Sequence, residues 1–293
     1  MKIFRTFDEL NISEPVSMTL GKFDGVHKGH IDLLERLEGK KFVFTFDISG
    51  SEGLITTAFE RRERFKELGV DYLFECPFDK EVMDMAPETF LRKLTEHTNV
   101  RKIVAGTDFR FGKDRSGDCG VLSAMSKKYG YELEVVAKLV YGKTEISSSG
   151  IRDEIAAGHM EKVRELLGLP YFCDGCVVTG NRIGRTIGFP TANVPVDHAK
   201  LMPPFGVYKA SLVTKEGDIS AVGIADLGRK PTVESEGKQN PVCIEINLFD
   251  FSEDIYGRDV RVFLHRFIRA ERKFDNIDEL KKQITKDILQ CKE

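Results

Sequence analysis

Tryptophan is absent from the 293-residue chain. Cysteine is sparse: six residues spread over the whole length are too few and too scattered for a disulfide framework, which points to a reducing cytoplasm. No apolar run approaches the roughly 20 residues that a membrane helix needs. The opening Met1-Lys2-Ile3-Phe4-Arg5 leads into acidic residues without an apolar signal core. An excess of basic charge is missing too. The chain carries 44 basic and 47 acidic residues, a net charge of −3, and neither half departs far from balance. A broad nucleic-acid footprint is therefore excluded, and small molecules are the expected partners, with neither nucleic acid nor membrane. Internal repeats and low-complexity segments are absent as well. What remains is ordinary for a soluble globular protein: 41% hydrophobic and 31% charged residues, with 21 phenylalanines to build a core. The length suffices for two ordinary domains.

The first half alternates strand-like and helix-like stretches. Met18–Leu20, Lys41–Phe46, Tyr72–Phe74, Ile103–Ala105 and Leu133–Val136 read as strands. Residues 31–37, 59–68, 86–94 and 122–129 read as helices between them. That pattern predicts a parallel sheet with flanking helices, whose ligands bind beyond the carboxyl ends of the strands. Two further short helices, 149–158 and 160–167, end at Gly168-Leu169-Pro170, where the domain boundary is placed: residues 1–168, then 171–293. The second half changes period. Short strand candidates at 176–178, 207–213, 221–224, 242–248 and 260–267 predict a small closed antiparallel barrel. One long helix, 277–289, carries Ile277, Leu280, Ile284 and Ile288 on one face and is expected to close an end of the barrel, with Asp275 or Asn276 as its cap.

Two segments stand out chemically. Gly21-Lys22-Phe23-Asp24-Gly25-Val26-His27-Lys28-Gly29-His30 puts two histidines three apart where a loop enters a helix. Both rings can face one ligand, backbone N–H groups there favour anions, and imidazoles can add hydrogen bonds or positive charge to a phosphate. A capped surface loop would explain the same residues. A zinc site would need a further Cys or His that is not nearby. Gly106 to Gly112 brackets Asp108, Phe109, Arg110 and Phe111 after a strand, and is equally an ordinary strand-to-loop turn. In Ser147-Ser148-Ser149-Gly150-Ile151-Arg152, Ser149 is a natural N-cap, and Arg152 one turn inside can clamp a phosphate.

Together these pieces resemble the adenylyltransferase module of bacterial bifunctional riboflavin kinase/FAD synthetases. His27-x-x-His30 matches the nucleotidylyltransferase signature of that fold. The resemblance implies that His27, His30 and Arg152 act on ATP phosphates during adenylyl transfer. It implies that Gly21, Phe23, Asp24, Gly25, Gly29, Ser148 and Ser149 bind nucleotide and phosphate. Asp108 belongs by the same resemblance to the nucleotide-and-flavin site, with Phe109 beside the flavin. Two departures stand in the sequence. Phe44-Thr45-Phe46-Asp47-Ile48-Ser49 replaces the family's common Pro-His-Pro after the second strand, and Ser149 replaces a common Thr but keeps the hydroxyl.

The second segment, Gly180 to Gly188 followed by Phe189-Pro190-Thr191-Ala192-Asn193, is glycine- and arginine-rich but lacks the Gly-Lys-Ser/Thr ending of a Walker loop. In an extended stretch Thr191 and Asn193 point the same way and can share Mg²⁺ and ATP phosphates; a plain turn with local side-chain bonds accounts for them equally. Glu245 alternates with Ile244 and Ile246, as either a solvated face residue or a general base. Cys173-x-x-Cys176 has metal or redox spacing without a second pair.

Gly184-Arg185-x-x-Gly188-Phe189-Pro190-Thr191-Ala192-Asn193, Gly206-Val207-Tyr208, Arg229-x-Pro231-Thr232-Val233, Asp250-Phe251, Ile255-Tyr256-Gly257 and Arg269-x-Glu271-x-x-Phe274 resemble the riboflavin kinase module of the same family. The resemblance implies a six-stranded barrel, with Gly184, Arg185 and Gly188 at the nucleotide. Thr191 and Asn193 would hold Mg²⁺ and ATP, Glu245 would be the base, and Arg269 and Glu271 would lie near the flavin. The expected activity is bifunctional: ATP and riboflavin give FMN, then ATP and FMN give FAD and pyrophosphate. A kinase whose first module is degenerate or differently selective is the alternative, motivated by the missing Pro-His-Pro. A flavoprotein without ATP turnover is a more distant one.

Overall fold

A computed structural model of the chain describes residues 1–180, 184, 188–229 and 241–292. It divides into two compact units. The first comprises residues 1–51 and 56–148, the second 52–55 and 149–293.

The first unit contains β1 (Lys2–Phe4), β2 (Ile12–Leu20), α1 (Lys28–Glu35), β3 (Lys40–Phe46), α2 (Ala58–Glu67), β4 (Tyr72–Cys76), α3 (Lys80–Met83), α4 (Pro87–Glu96), β5 (Thr98–Gly106), α5 (Cys119–Tyr129), β6 (Glu132–Val136) and a small hairpin, β7 (Val140–Tyr141) and β8 (Thr144–Glu145). Six strands form one sheet in the order β1-β4-β3-β2-β5-β6, every pairing parallel. Its strands are apolar at successive positions because both faces are covered. Phe42, Phe44, Phe74, Ile103 and Ala105 join one core cluster. Val43, Leu73 and Val104, which alternate with them, join the other with Leu33, Leu34 and Phe65. From β2 the chain runs to β3 on one side, while β5 and β6 lie on the other. The strand order therefore reverses between β2 and β5, where such sheets form a crevice at their carboxyl ends.

The second unit contains α6 (Ser148–Ala156) from Ser149 onward, α7 (Met160–Leu167), β9 (Tyr171–Cys176), β10 (Ala192–Pro195), β11 (Gly206–Thr214), β12 (Ser220–Arg229), β13 (Val242–Leu248), β14 (Asp259–Ala270) and α8 (Ile277–Lys292). Gly168 ends α7 in the left-handed region, its N–H on the Arg164 carbonyl. The strands pair antiparallel in the order β10-β13-β12-β11-β14-β9. The two edges meet where Val178 N–H donates to the Asn193 carbonyl at 2.8 Å, so the sheet curls back on itself around Tyr208, Ala210, Ala225, Leu227, Ile244 and Ile246.

Two expectations change here. Ser149 is not the N-cap of α6, because the helix already includes Ser148. The C-terminal helix does not close a barrel end; α8 lies along the outer face of β12 and β14, where Ile288 and Cys291 pack with Val207, Ile224 and Ile268. Its inward stripe is also different. Ile277 is 59% exposed, while Asp287 is 1% exposed. Asn276 does cap the helix, accepting from Glu279 N–H at 3.0 Å.

Candidate active sites

The crevice of the first sheet holds a cavity of about 180 Å³. His27, Gly29 and His30 line it from the loop after β2, Gly106 and Asp108 from the end of β5, and Val136 to Leu139 from the end of β6; Ile146, Ser147 and Ser148 complete it. The loop that delivers the histidines is wound tightly. Phe23, Gly25 and Val26 have φ of +52°, +89° and +41°. For Phe and Val that region is costly, on the order of 1–3 kcal/mol each, so the surroundings must hold it. They do so with named bonds. Gly25 N–H donates to Thr56 Oγ1 at 3.1 Å, Thr56 N–H to Asp24 Oδ1 at 3.3 Å, and Ser148 Oγ to the Asp24 carbonyl at 2.9 Å. A second clamp comes from Arg61, which is fully buried and donates to the carbonyls of Lys22 and Phe46 and to Thr45. Glu75 balances its charge.

The two imidazoles stack with centroids 3.6 Å apart. His27 caps α1, its Nδ1 accepting from His30 N–H at 3.4 Å, which leaves the proton on Nε2. Burial lowers the His27 pKa to about 4. Burial and then the neighbouring His27 push His30 well below its ordinary value. Both rings are neutral near pH 7, so of the hydrogen bonds or positive charge open to them, hydrogen bonds remain. His30 Nδ1 is buried without a partner among the described residues. The cation lining this cavity is Lys138, 3.2 Å from Asp108 and 3.0 Å from Glu145. No motif in the sequence singled out Lys138.

The structure thus gathers His27, Gly29, His30, Asp108 and Ser148 around one cavity. Gly21, Asp24 and Gly25 shape the loop behind it. Phe23 is buried between His30 and Phe65, with ring centroids at 4.9 and 5.6 Å. Phe109 stacks on Phe111 at the edge of the core. Ser149 and Arg152 lie on α6 in the second unit, where Arg152 Nε donates to the Gly53 carbonyl.

Two cavities occupy the second unit. The larger, about 680 Å³, is lined by Gly184, Phe189, Thr191, Glu245, Arg269 and Glu271, with Val207, Ile224, Phe274, Leu280 and Ile284 as apolar walls. The other, about 440 Å³, lies between Pro190 to Ala192, Ile246, Leu248 and the loop 251–256. Alternation along β13 explains the split: Glu245 and Asn247 face one cavity, Ile246 and Leu248 the other. Thr191 is the residue common to both linings. Asn193 is buried and pairs directly with Glu245 across β10 and β13. Gly184 leaves room for the chain to double back, since a Cβ there would stand 2.3 Å from the Phe189 carbonyl oxygen. Gly188 turns the loop at φ +90°. Arg185 and the segment Pro231-Thr232-Val233 lie outside the described residues.

Arg269 Nε and Nη2 both donate to Asp287 Oδ2, at 2.9 and 2.8 Å, and the guanidinium lies 5.7 Å from the Phe274 ring centroid. Gly228 makes way for Glu271, whose Oε1 would be 2.1 Å from a Cβ there. Sequence reasoning passed over Asp226 and Asp287. Asp226 opens into the larger cavity. Burial, then Glu271 and Glu245, raise its carboxyl to about 6. The signal for Asp226 is a lone carboxylate in an apolar stretch, Ile224-Ala225-Asp226-Leu227; Asp287, in Ile284-Thr285-Lys286-Asp287-Ile288, carries no such signal. Cys173 and Cys176 are free thiols, and no group of three or more His, Cys, Asp or Glu among the described residues could hold a metal.

The FAD synthetase family model matches residues 10–150, and the riboflavin kinase model matches residues 167–293. The bifunctional riboflavin kinase/FMN adenylyltransferase of Escherichia coli strain K12 is 35% identical over all of this chain and 97% of its own length. That of Bacillus subtilis strain 168 is 36% identical, over 92% and 89%. A crystal structure described as a macrolide-efflux protein from Streptococcus pneumoniae superposes with a TM-score of 0.86 at 29% identity, covering 99% of this chain and 98% of that one. No helix among the described residues is long and apolar enough to cross a membrane.

Proposed function

The chain belongs to the bifunctional riboflavin kinase/FMN adenylyltransferase family, and from that premise we propose which of its residues carry the two reactions. It phosphorylates riboflavin with ATP to FMN and adenylylates FMN to FAD with release of pyrophosphate. Residues 1–168 serve the second reaction and 171–293 the first.

In the kinase reaction, the observation that carries the assignment is Thr191, common to both cavities and next to the Asn193–Glu245 pair. ATP extends from the smaller cavity to Thr191 and Asn193. Riboflavin fills the larger one, its ring against Phe189, Phe274 and Ile224 and its terminal hydroxyl at Glu245. Glu245 takes the hydroxyl proton as the oxygen attacks the γ-phosphorus and ADP leaves. Arg269 and Glu271 flank the ring, and Gly184, Arg185 and Gly188 form the nucleotide loop. The donors suit Mg²⁺: a hydroxyl and an amide oxygen, too few to cage a cation alone, fit an ion shared with nucleotide phosphates. Bound there, Mg²⁺ would neutralise charge on the transferring phosphoryl group.

In the adenylyl reaction the FMN phosphate is already a nucleophile and needs no base. His27 and His30 donate hydrogen bonds to the α-phosphate and the leaving pyrophosphate as charge builds. Asp108 and Phe109 lie toward nucleotide and flavin, Ser148, Ser149 and Arg152 toward phosphate. The six free thiols fit a reducing cytoplasm.

Glu245→Gln tests the kinase half. FMN formation should fall by roughly 10²–10⁴-fold, the usual worth of a positioned base. FAD formation from supplied FMN should persist. Normal FMN formation would remove Glu245 from the role.

A further inference from the structure

A row of side chains crosses the outer face of the second sheet, one from each of five strands. Asn193 on β10 pairs with Glu245 on β13, Glu245 with Asp226 on β12, Asp226 with Val207 on β11, and Val207 with Arg269 on β14. Directly paired residues point to the same face, with Cβ atoms about 5 Å apart. The row therefore runs in the order amide, carboxylate, carboxylate, apolar, guanidinium. Its members from Glu245 to Arg269 all line the larger cavity, beneath Leu280 and Ile284 of α8. Asp226 has had no part in the reaction so far.

A flavin has the same order of chemistry. The linear polyol chain of riboflavin ends in the reacting hydroxyl and joins the flat ring at its other end. Extended, its five carbons span about one strand spacing, ~5 Å. With the terminal hydroxyl at Glu245, the secondary hydroxyls pass Asp226 and the ring reaches Val207, Phe274 and Arg269. Asp226 borders that stretch, and a carboxylate covered by a ligand needs donors. A polyol supplies hydroxyl donors in a line, which a ring without one does not. We propose that Asp226 accepts hydrogen bonds from the secondary hydroxyls of the polyol chain and so selects flavins that carry one. This rests on the larger cavity being the flavin site.

Asp226→Ala and Asp226→Asn in the full chain test it, with binding of riboflavin and of lumiflavin, the ring without the chain, read by flavin fluorescence. Loss of a charge-assisted hydrogen bond should weaken riboflavin about 10–10²-fold in the Ala variant. Asn keeps an acceptor and should fall between. Lumiflavin affinity should stay within about twofold by the same reasoning. The KM for riboflavin should rise more than kcat falls, because the terminal hydroxyl still meets Glu245. Unchanged riboflavin affinity overturns the proposal, whatever happens to turnover. Equal weakening of both flavins also overturns it, since Asp226 would then only shape the cavity. Circular dichroism and the melting temperature report that the variants are folded. If Glu245→Gln leaves FMN formation intact, the site assignment itself has failed; if Glu245→Gln is inactive and Asp226→Ala binds normally, only the polyol inference has.

Discussion

His27 and His30 are kept neutral by the protein that surrounds them, and neutrality has a consequence for stability. His27 titrates near 4 in the fold against 6.5 in an open chain, and His30 is lowered as well. Between those values an unfolded chain takes up protons that the folded one does not. The folded state therefore loses stability as pH falls from about 6.5 toward 4, by up to about 1.4 kcal/mol per pH unit for each such group. Urea unfolding of the wild type should show a lower midpoint at pH 5 than at pH 7, and His27→Ala should shrink that difference. An equal difference in wild type and variant would mean that His27 titrates normally. Phosphate placed against the rings raises their pKa, so nucleotide binding should take up protons in the same range. The histidines, Thr191 and Asn193 stand out in the sequence because each sits in a short motif of distinctive chemistry, whereas Glu245 is singled out only by the family resemblance. Lys138, Asp226 and Asp287 do not stand out, because an isolated charge on a strand end or helix reads as a solvated residue until packing is known. The same holds for Arg61: its cluster of charges, Glu60 to Arg64, looks like an exposed helix face, yet Arg61 is fully buried beneath the histidine loop.

Most long elements follow from periodicity. The strand Val242–Leu248 stands where alternation puts it, and α2 and α5 cover most of the stretches 59–68 and 122–129. Short elements escape. β1 and α3 have three and four residues. β10, which carries Asn193, contains Asn and Pro and reads equally as an extended segment or a turn; pairing with β13 makes it a strand. The placement of α8 escapes for a different reason, since an amphipathic helix does not say which surface it covers. Here a charge fixes the docking. Asp287 accepts from Arg269 and from Gln283 while 1% exposed, so α8 both roofs the flavin cavity and orients the guanidinium in it. Asp287→Ala would leave the Arg269 guanidinium under the helix without its carboxylate. Breaking a buried pair costs 3–5 kcal/mol, and about 3 is expected because the Arg269 side chain is 21% exposed. The melting temperature of the full chain should drop, and the KM for riboflavin should rise at temperatures where the variant is folded. A variant with unchanged melting and unchanged KM would show that packing of Ile284, Ile288 and Cys291 alone seats the helix.

At the scale of the whole chain, each cavity is lined by residues of one compact unit: His27, His30, Asp108 and Lys138 in the first, Thr191, Glu245 and Arg269 in the second. Two closed sets of lining residues imply two reactions that can be switched off separately. His30→Ala removes a neutral ring that packs on Phe23 and His27 at the first cavity and touches nothing in the second lining. Loss of one strong transition-state donor typically costs about 2.7–4 kcal/mol, or roughly 10²–10³ in rate. Given riboflavin and Mg-ATP, the variant should make FMN at the wild-type rate and accumulate it, while FAD appears 10²–10³-fold more slowly by the same reasoning. His27→Ala should act in the same direction. Chromatographic separation of FMN from FAD over time reads both steps in one reaction, and circular dichroism reports whether the variant is folded. If folded His30→Ala instead stopped FMN formation, the two activities would depend on one site, and the division of residues between them would be wrong.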